Sequence, residues 1–450
     1  MSVETRPLTS HTTGDTLAWD ESGAVTVNAF YRSAVRMAQS LPPSQYVVNT
    51  CQDRYLFMLG FAAALISGRP TLMPSSFTTG TLQQIQDRYP DIICLHDGTQ
   101  RAEGLREWRI SDTQEPLDAG EVTAPEIDVN QVAAIVFTSG STGEPTAHAK
   151  TWGRLCVNGA SEAARLGSAG HTIVATVPAQ HMYGFESSVL LAMHGGSSVW
   201  RGKPFYPADI AAALAASPRP RMLVTTPYHL SNLVGSGTEV PECDLLLCAT
   251  APLSTELATT AEALFSSPLF EIYGCTESGQ VASRRTVSGP VWQLLPGLSM
   301  ASDESGAWVS GGHVEGRVAL TDQISHLGGD LFRLGDRHSD MVNIAGKRAS
   351  LAALSATLRG LPGVVDACYL LPQASSASPT ESIQRLAALV IAPALSENDI
   401  TTALRQAVDP AFLPRPLLKV DALPRNATGK VLANELQALF QRARAGAPAR

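Results

Sequence analysis

The strongest constraint on the fold is a short apolar run that stops abruptly at a loop of hydroxyl residues and glycines. Residues 132–137, VAAIVF, are uncharged and rich in aliphatic side chains, which predicts a buried β-strand. The loop that follows consists of Thr138, Ser139, Gly140, Ser141, Thr142 and Gly143. Glycines let a backbone approach an anion closely, and exposed N–H groups and hydroxyls donate to its oxygens. The pattern therefore predicts a phosphate site at a strand end, with an ordinary surface turn as the alternative.

This loop differs from the phosphate loop of kinases and P-loop NTPases. A Walker A box needs Gly-Lys-Ser/Thr after four intervening residues, whereas Gly143 is followed by Glu-Pro. The sequence therefore disfavours those enzyme classes.

A second polar segment, EIYGCTESG at residues 271–279, follows another apolar pair. Tyr273 is suited to stack on a flat base, and Thr276 to donate to a phosphate. The carboxylate of Glu277 is suited to ligate a hard cation such as Mg²⁺. Cys275 lies in the same segment and is interpreted as a small buried spacer rather than a nucleophile.

Two segments nearer the C-terminus carry charge on flexible backbone. Residues 423–431, LPRNATGKV, place Lys430 at the tip of a turn-rich loop, where a solvated surface lysine is the alternative interpretation. Residues 331–348, LFRLGDRHSDMVNIAGKR, place charge and glycine between apolar stretches, which is typical of a hinge.

Taken in this order, the segments resemble the adenylate-forming superfamily of acyl-CoA and aryl-CoA synthetases, peptide-synthetase adenylation domains and luciferase. The resemblance is carried by FTSGSTGEP, YGCTE and PRNATGK, with ATAPL at residues 249–253 and VPAQHMYG at residues 177–184. Across these segments, the sequence is most similar to the compact aryl-acid AMP-ligases of xanthomonadin and aryl polyene pigment pathways.

The resemblance implies an α/β fold with two domains. A large N-terminal adenylate-forming domain of layered α/β subdomains is expected over residues 1–336. A small mobile α+β domain, residues 337–450, is expected to carry Lys430.

The resemblance also implies a two-step reaction that uses ATP and Mg²⁺. A carboxylate attacks the α-phosphorus, pyrophosphate leaves, and a thiol then takes the acyl group from the acyl-AMP. Residues 138–143 would hold the β- and γ-phosphates, Thr276 the α-phosphate and Glu277 the metal. Lys430 would stabilise charge in the transition state. The adenine would lie against Ala249, Thr250, Ala251, Tyr273 and Gly274.

Other roles are assigned by comparison with the family. Asp322 is the preferred ligand for the ribose hydroxyls, and Asp336 is the second candidate. The alternative interpretation of Asp322 is a turn residue without a role in binding. Arg337 matches the hinge-side arginine. Thr146 and Asn343 stand where many relatives carry lysines. The comparison therefore gives less support for closure of the phosphate loop, which Thr146 follows, and for the thiol step, which the lysine at the position of Asn343 faces in relatives.

The acid pocket is expected to contain His181, Tyr183, Gly184, Tyr228 and Thr250, although His181 also suits a core position. These residues are aromatic or small, which favours a flat acid over an amino acid. The resemblance implies 3- or 4-hydroxybenzoate as the substrate and the phosphopantetheine thiol of an acyl carrier protein as the acceptor. The alternatives are an aryl- or medium-chain acyl-CoA ligase and a non-catalytic module that binds AMP or acyl-AMP.

Composition agrees with a cytoplasmic enzyme that neither binds nucleic acid nor inserts into membranes. The chain has 450 residues, 44% of them hydrophobic, a net charge of -8 and no basic run. Its seven cysteines lack disulfide or zinc spacing. Helices are predicted at residues 55–66, 210–216, 351–358 and 400–408; strands at 173–177, 222–226, 364–371 and 386–391; and a surface loop at 373–380.

Overall fold

The computed structural model describes residues 3–74, 77–111, 122–139, 145–303, 306–337, 341–344, 347–372, 385–408, 410–426, 429 and 431–446. The chain forms two compact units. The first comprises Met1–Ser302, Trp308–Ala319 and His326–Arg333, and the second comprises Asp303–Ala307, Leu320–Ser325 and Leu334–Arg450. The predicted α/β class is confirmed, and the predicted boundary after residue 336 stays a prediction.

The helices are numbered in chain order: α1 Val27–Ser40, α2 Arg54–Ile66, α3 Thr79–Arg88, α4 Trp152–Leu166, α5 Met182–Gly184, α6 Leu191–His194, α7 Pro207–Ala216, α8 Pro227–Gly235, α9 Thr255–Phe265, α10 Leu351–Arg359, α11 Glu397–Ala407 and α12 Ala433–Arg444. A π-helical segment, Phe185–Leu190, joins α5 to α6. Short 3₁₀ turns occupy Thr286–Ser288 and Pro410–Phe412.

The strands of the first unit and of the junctions are β1 Thr5–Pro7, β2 Thr16–Asp20, β3 Gly23–Thr26, β4 Tyr46–Asn49, β5 Thr71–Met73, β6 Ile92–His96, β7 Arg106–Arg109, β8 Glu126–Asp128, β9 Val132–Ser139, β10 Pro145–Thr151, β11 Thr172–Ala175, β12 Ser198–Trp200, β13 Arg221–Thr225, β14 Leu245–Cys248, β15 Leu269–Cys275, β16 Gly279–Arg285, β17 Val291–Leu294, β18 Leu298–Asp303, β19 Gly306–Gly311, β20 Arg317–Leu320, β21 Asp322–Gly328 and β22 Leu331–Arg337. Those that follow are β23 Met341–Ile344, β24 Lys347–Ser350, β25 Asp366–Leu370, β26 Ala387–Ile391 and β27 Leu417–Lys419.

Local sequence explains where the helices begin. The side chains of Thr26, Asp53 and Ser254 each accept a hydrogen bond from a backbone N–H in the first turn of the helix that follows. Helix α2 is apolar on all sides and is buried over nearly its whole length, as the sequence predicts. In the part of the chain that the structure describes, no helix is both long and apolar enough to cross a membrane.

The two largest sheets of the first unit have helices packed between them. One sheet has the order β10-β9-β5-β4-β6-β7, and the other runs β22-β17-β16-β15-β14-β13-β11-β12-β2-β3. Alternate strand residues enter different cores, as the two-residue period of a strand requires. Ile173 and Ala175 of β11 join the large core that contains α1, α2 and α4, whereas Val174 faces the core formed with α7, α8 and α9.

The second unit is built around the sheet β25-β26-β27. Ala388 and Val390 pack with side chains of α10 and α11, while Ala387 and Leu389 pack with side chains of α12. The predicted strands and helices of this region therefore form, with shifts of a few residues at their ends. The predicted surface loop at residues 373–380 lies outside the described residues.

Candidate active site

The segments that the sequence singles out follow neighbouring parallel strands of the larger sheet. Strands β11, β13, β14 and β15 pair in parallel in that spatial order. Residues 177–184, 226–229 and 249–253 come after the carboxyl ends of β11, β13 and β14, and residues 273–277 close β15. Ligands of open parallel sheets bind in the crevice outside the carboxyl ends of the strands. The topology therefore brings the predicted segments to one edge of the sheet.

The predicted phosphate loop connects two antiparallel strands. Ser139 at the end of β9 pairs with Pro145 at the start of β10. The Thr138 hydroxyl lies 3.1 Å from Nε2 of His148 on β10. Gly140, Ser141, Thr142 and Gly143 lie outside the described residues, as does the side chain of Ser139. The described strands on either side of the loop form an antiparallel hairpin.

A tight turn presents Glu277 between β15 and β16. Gly274 pairs with Gln280, and Cys275 pairs with Gly279. A Cβ atom on Gly274 would lie 2.3 Å from the carbonyl oxygen of Gly279, so the close approach of the two strands requires glycine. The turn leaves the Glu277 side chain 40% exposed.

The hairpin and the acidic turn are in direct contact. Nζ of Lys150 on β10 donates to the carbonyl oxygen of Glu277 at 2.6 Å. Nε2 of His148 lies 3.9 Å from Oε1 of Glu277. Lys150 is only 4% exposed, and burial lowers its pKa against the opposing effect of Glu186. The strand that leaves the phosphate loop thus also fixes the Glu277 turn.

Tyr273 lies on an aromatic surface beside that turn. Its ring centroid is 5.8 Å from that of Trp292 and 6.2 Å from that of Phe332, both in edge-on arrangements. Such contacts fix the ring plane and leave Tyr273 half-buried. The position agrees with a surface for a flat base.

The segment after β14 is held in a strained conformation. Thr250 has a φ of +82°, which is unusual for a β-branched residue. Ala249 is buried, Ala251 is half-buried, and the backbone N–H of Leu253 donates to Glu271 Oε1 at 3.2 Å. Backbone strain of this kind clusters at ligand sites and costs about 1–3 kcal/mol. The segment is therefore fixed at the sheet edge by its surroundings.

His181, Tyr183 and Gly184 begin the helical stretch that follows β11. The Tyr183 hydroxyl donates to the Leu247 carbonyl oxygen at 3.1 Å, and burial raises the pKa of this phenol well above its usual range. A Cβ atom on Gly184 would lie 2.0 Å from the carbonyl oxygen of Pro178, so glycine is required there. Burial and then the charge of Lys203 lower the pKa of the half-buried His181 to about 4. This imidazole is therefore neutral at neutral pH.

A second neutral imidazole, His229, lies in the first turn of α8. It is 3% exposed, and its Nδ1 is 3.0 Å from the hydroxyl of Thr226. Among the described residues, its buried Nε2 has no hydrogen-bond partner. Burial and then Lys203 lower its pKa to about 4. Its neighbour Tyr228, which the sequence predicts to line the pocket, is 44% exposed.

Comparison with known proteins decides the family. Residues 17–306 match the model of the AMP-binding enzyme family. The chain belongs to this family. The resemblance to adenylate-forming enzymes is thereby confirmed, and the protein is an enzyme.

Named relatives of this AMP-binding enzyme are CoA ligases. It is 24% identical over 455 residues to a 2-succinylbenzoate–CoA ligase from Bacillus velezensis, covering 91% of this chain and 88% of that protein. A match to a 4-coumarate–CoA ligase from Rhodobacter capsulatus is 28% identical and covers 52% of this chain and 60% of that protein. The solved o-succinylbenzoate CoA synthetase of Bacillus subtilis, bound to its acyl-adenylate, shares the fold with a TM-score of 0.80. The two chains are 18% identical, and the match covers 97% of this chain and 99% of that one.

ATP and Mg²⁺ are the cofactors of this family, as the sequence comparison implies. Glu277 supplies a partly exposed carboxylate of the hard-oxygen type that Mg²⁺ prefers. Among the described residues, no cluster of three or more carboxylate, imidazole or thiol groups forms a metal cage. Mg²⁺ commonly binds through one or two carboxylates together with substrate phosphates. The Glu277 turn therefore fits a metal ion that arrives with a nucleotide.

The residues predicted for the ribose and the hinge belong to the second unit. Asp322 begins β21 within the second unit. Asp336 and Arg337 end β22, and their side chains lie outside the described residues, as does that of Asn343. Thr146 is described and exposed near the start of β10, where it pairs with Thr138.

Lys430 itself lies outside the described residues, but residues on both sides of it are described and paired. Arg425 and Val431 form a β-bridge across the loop base. The Arg425 guanidinium donates to Asp366 Oδ2, at 3.1 Å through Nε, and to the Gly429 carbonyl oxygen. The loop base is therefore anchored to strand β25.

Several charged residues near the site are absent from the sequence prediction. Glu162 and Glu186 are buried, and burial raises their pKa values to about 7 and about 8. Lys203, whose Nζ lies 2.5 Å from Gln52 Oε1, supplies a cation whose charge acts on His181. The sequence prediction placed no cation near the acid. Isolated charged residues between apolar stretches gave no pattern that could have revealed them.

Proposed function

We propose that this enzyme joins a carboxylic acid to a thiol through an acyl adenylate. In the first step a carboxylate oxygen attacks the α-phosphorus of ATP, and the bond to the β-phosphate oxygen breaks to release pyrophosphate. In the second step a thiol sulfur attacks the acyl carbon, the bond to AMP breaks, and the thiol proton passes to solvent. Bound Mg²⁺ would neutralise phosphate charge.

The observation that carries this proposal is the contact between the phosphate-loop hairpin and the acidic turn. Lys150 and His148 connect β10 to Glu277, and these contacts support a joint role for the two segments in binding a triphosphate and its metal ion. Tyr273 offers a ring to the base next to this turn. These observations support the proposal that phosphate, metal and base bind at one sheet edge, where two anions must be brought together.

The proposed acid is 3- or 4-hydroxybenzoate. Nε2 of buried His229 has no hydrogen-bond partner among the residues that the structure describes, and a hydroxyl suits either tautomer because it both donates and accepts. The Phe205 ring, 5.1 Å from the His229 ring, adds an aromatic wall. The relatives named for 4-coumarate and 2-succinylbenzoate also act on aromatic acids.

The proposed thiol is the phosphopantetheine arm of an acyl carrier protein, as in the compact ligases that the sequence resembles. Coenzyme A is the second candidate, because the named relatives are CoA ligases. Both acceptors present the same phosphopantetheine thiol, so the adenylation residues serve either one.

The test is ATP–pyrophosphate exchange with benzoic, hydroxybenzoic, cinnamic and fatty acids. We expect exchange with a hydroxybenzoate, and Lys430→Ala should lower the rate by about 100-fold or more with little change in ATP affinity, since a transition-state contact is lost. Mass spectrometry then compares thioester formation on a phosphopantetheinylated carrier protein with that on coenzyme A. Nucleotide binding without exchange for any acid would favour a non-catalytic AMP or acyl-AMP binding module.

A further inference from the structure

His148 and Lys150 project from the same face of strand β10, because they are two residues apart. Both side chains reach the Glu277 turn. Lys150 Nζ donates to the Glu277 carbonyl oxygen at 2.6 Å, and His148 Nε2 lies 3.9 Å from its carboxylate. His148 also contacts the hydroxyl of Thr138, at the entry to the phosphate loop. Strand β10 therefore holds both the backbone and the side chain of one glutamate.

Lys150 occupies an environment that is costly for an ammonium group. It is 4% exposed, and the acidic groups that act on it are Glu186 on the π-helical segment, Cys275 and Glu277 on the turn, and Glu315. Burying an ammonium costs several kcal/mol unless partners compensate. Packing alone would be served equally well by an apolar side chain, so the ammonium has another use.

The partners of Glu186 fix the acidic side of this arrangement. Its Oε1 accepts from Asn158 Nδ2 at 3.0 Å and from the backbone N–H of Gln280 at 3.2 Å. Gln280 belongs to β16, the strand that receives the chain after the Glu277 turn. Lys150 and Glu186 therefore approach the same turn from two different elements.

We propose that Lys150 is a positioning residue that holds Glu277 in its metal-binding orientation, with His148 restricting the carboxylate from the same strand. The inference rests on the metal-binding role of Glu277 in the proposed function. Groups that orient metal ligands influence affinity strongly, and losing one weakens metal binding by about 10- to 100-fold.

The test measures Mn²⁺ as a paramagnetic substitute for Mg²⁺, by electron paramagnetic resonance, in the full-length enzyme with α,β-methylene-ATP. Lys150→Met keeps the length of the side chain and removes the charge. We expect it to weaken Mn²⁺ binding by about 10- to 100-fold. Saturating Mg²⁺ should restore much of the pyrophosphate exchange rate. The matched control is Lys419→Met, which removes an exposed lysine that also donates to a backbone carbonyl, at 2.6 Å from Leu395, and should bind Mn²⁺ normally.

Two further variants keep the proposal falsifiable if Lys150→Met does not fold, as judged by circular dichroism. Burial lowers the pKa of His148, so the ring acts on the carboxylate as a neutral neighbour 3.9 Å away. His148→Ala should therefore weaken Mn²⁺ binding by only about two- to fivefold. The positioning role requires that Glu277→Gln loses Mn²⁺ while His148→Ala and folded Lys150→Met bind it more weakly than the native enzyme. If Glu277→Gln loses Mn²⁺ but either of the other variants keeps the native Mn²⁺ affinity, the positioning role is overturned. If Glu277→Gln binds Mn²⁺ as tightly as the native enzyme, the metal role in the proposed function is wrong, and the inference falls with it.

Discussion

Replacing His229 by phenylalanine tests how the enzyme recognises the hydroxyl of the proposed hydroxybenzoate substrate. Phenylalanine keeps the flat ring beside Phe205, 5.1 Å away, and removes both ring nitrogens. The backbone N–H of residue 229 still donates to Thr226, so the start of α8 is retained. The side-chain hydrogen bond of Nδ1 is lost, and so is the buried Nε2, which has no partner in the described part of the chain. We expect the free energy of unfolding to change by no more than about 1 kcal/mol.

The effect on substrate selection should be larger. A net hydrogen bond between neutral groups contributes about 0.5–1.5 kcal/mol, so kcat/KM for the hydroxybenzoate should fall by about two- to twelvefold. Benzoate leaves the His229 Nε2 unpaired in the native enzyme, which costs about 1–3 kcal/mol, or about 5- to 150-fold. That cost disappears in the variant, so its preference for hydroxybenzoate over benzoate should approach unity.

The assay is pyrophosphate exchange with benzoate, 3-hydroxybenzoate and 4-hydroxybenzoate at several concentrations. His229→Gln serves as the matched variant, since its amide keeps a polar group in place of the imidazole. Because the pKa of His229 is about 4, the native preference should be constant from pH 6 to pH 8, below the ionisation of the substrate phenol. A folded His229→Phe enzyme that keeps the native preference would refute the assigned contact.

The remaining predictions concern a buried carboxyl group and the loop of Lys430. The pKa of Glu162 is raised from 4.5 to about 7 in the folded enzyme. Its contribution to the free energy of unfolding is therefore fully present below pH 4.5 and is lost as the pH rises through 7. Glu162→Gln should therefore gain stability over this window, reaching roughly 3 kcal/mol above pH 7 in urea unfolding, and a difference independent of pH would contradict the assignment. Asp366→Asn weakens the anchor of Arg425 and should lower the rate of pyrophosphate exchange about two- to tenfold while leaving the KM for ATP unchanged. Equal changes in both constants would instead indicate a general loss of structure.

Local pattern was enough to predict most of the elements that build the site. The apolar run of β9 and the all-round apolar helix α2 appear where the sequence predicts them. The reason is that burial repeats with the geometry of the element, every two residues in a strand and on all sides of an enclosed helix. Element ends shifted by a few residues, since capping residues such as Asp53 decide them.

Candidate site residues could be predicted from the sequence where they lie within one short segment. Tyr273, Thr276 and Glu277 lie on one strand end and one turn, so a single segment contains their geometry. Contacts between distant segments were not predictable in this way. Lys150 and Glu277 are 127 residues apart, and nothing in the residues around Lys150 indicates its partner.

The sequence by itself determined the family, the α/β class and the polar segments that follow the strands, because these depend on short runs of residues. Only the tertiary structure decided which charges are buried together. It placed Lys150 and Glu186 under the Glu277 turn and left Nε2 of His229 without a described partner. The cost of burial and the attraction between charges depend on distance through space, and the packing of separate strands and helices sets that distance.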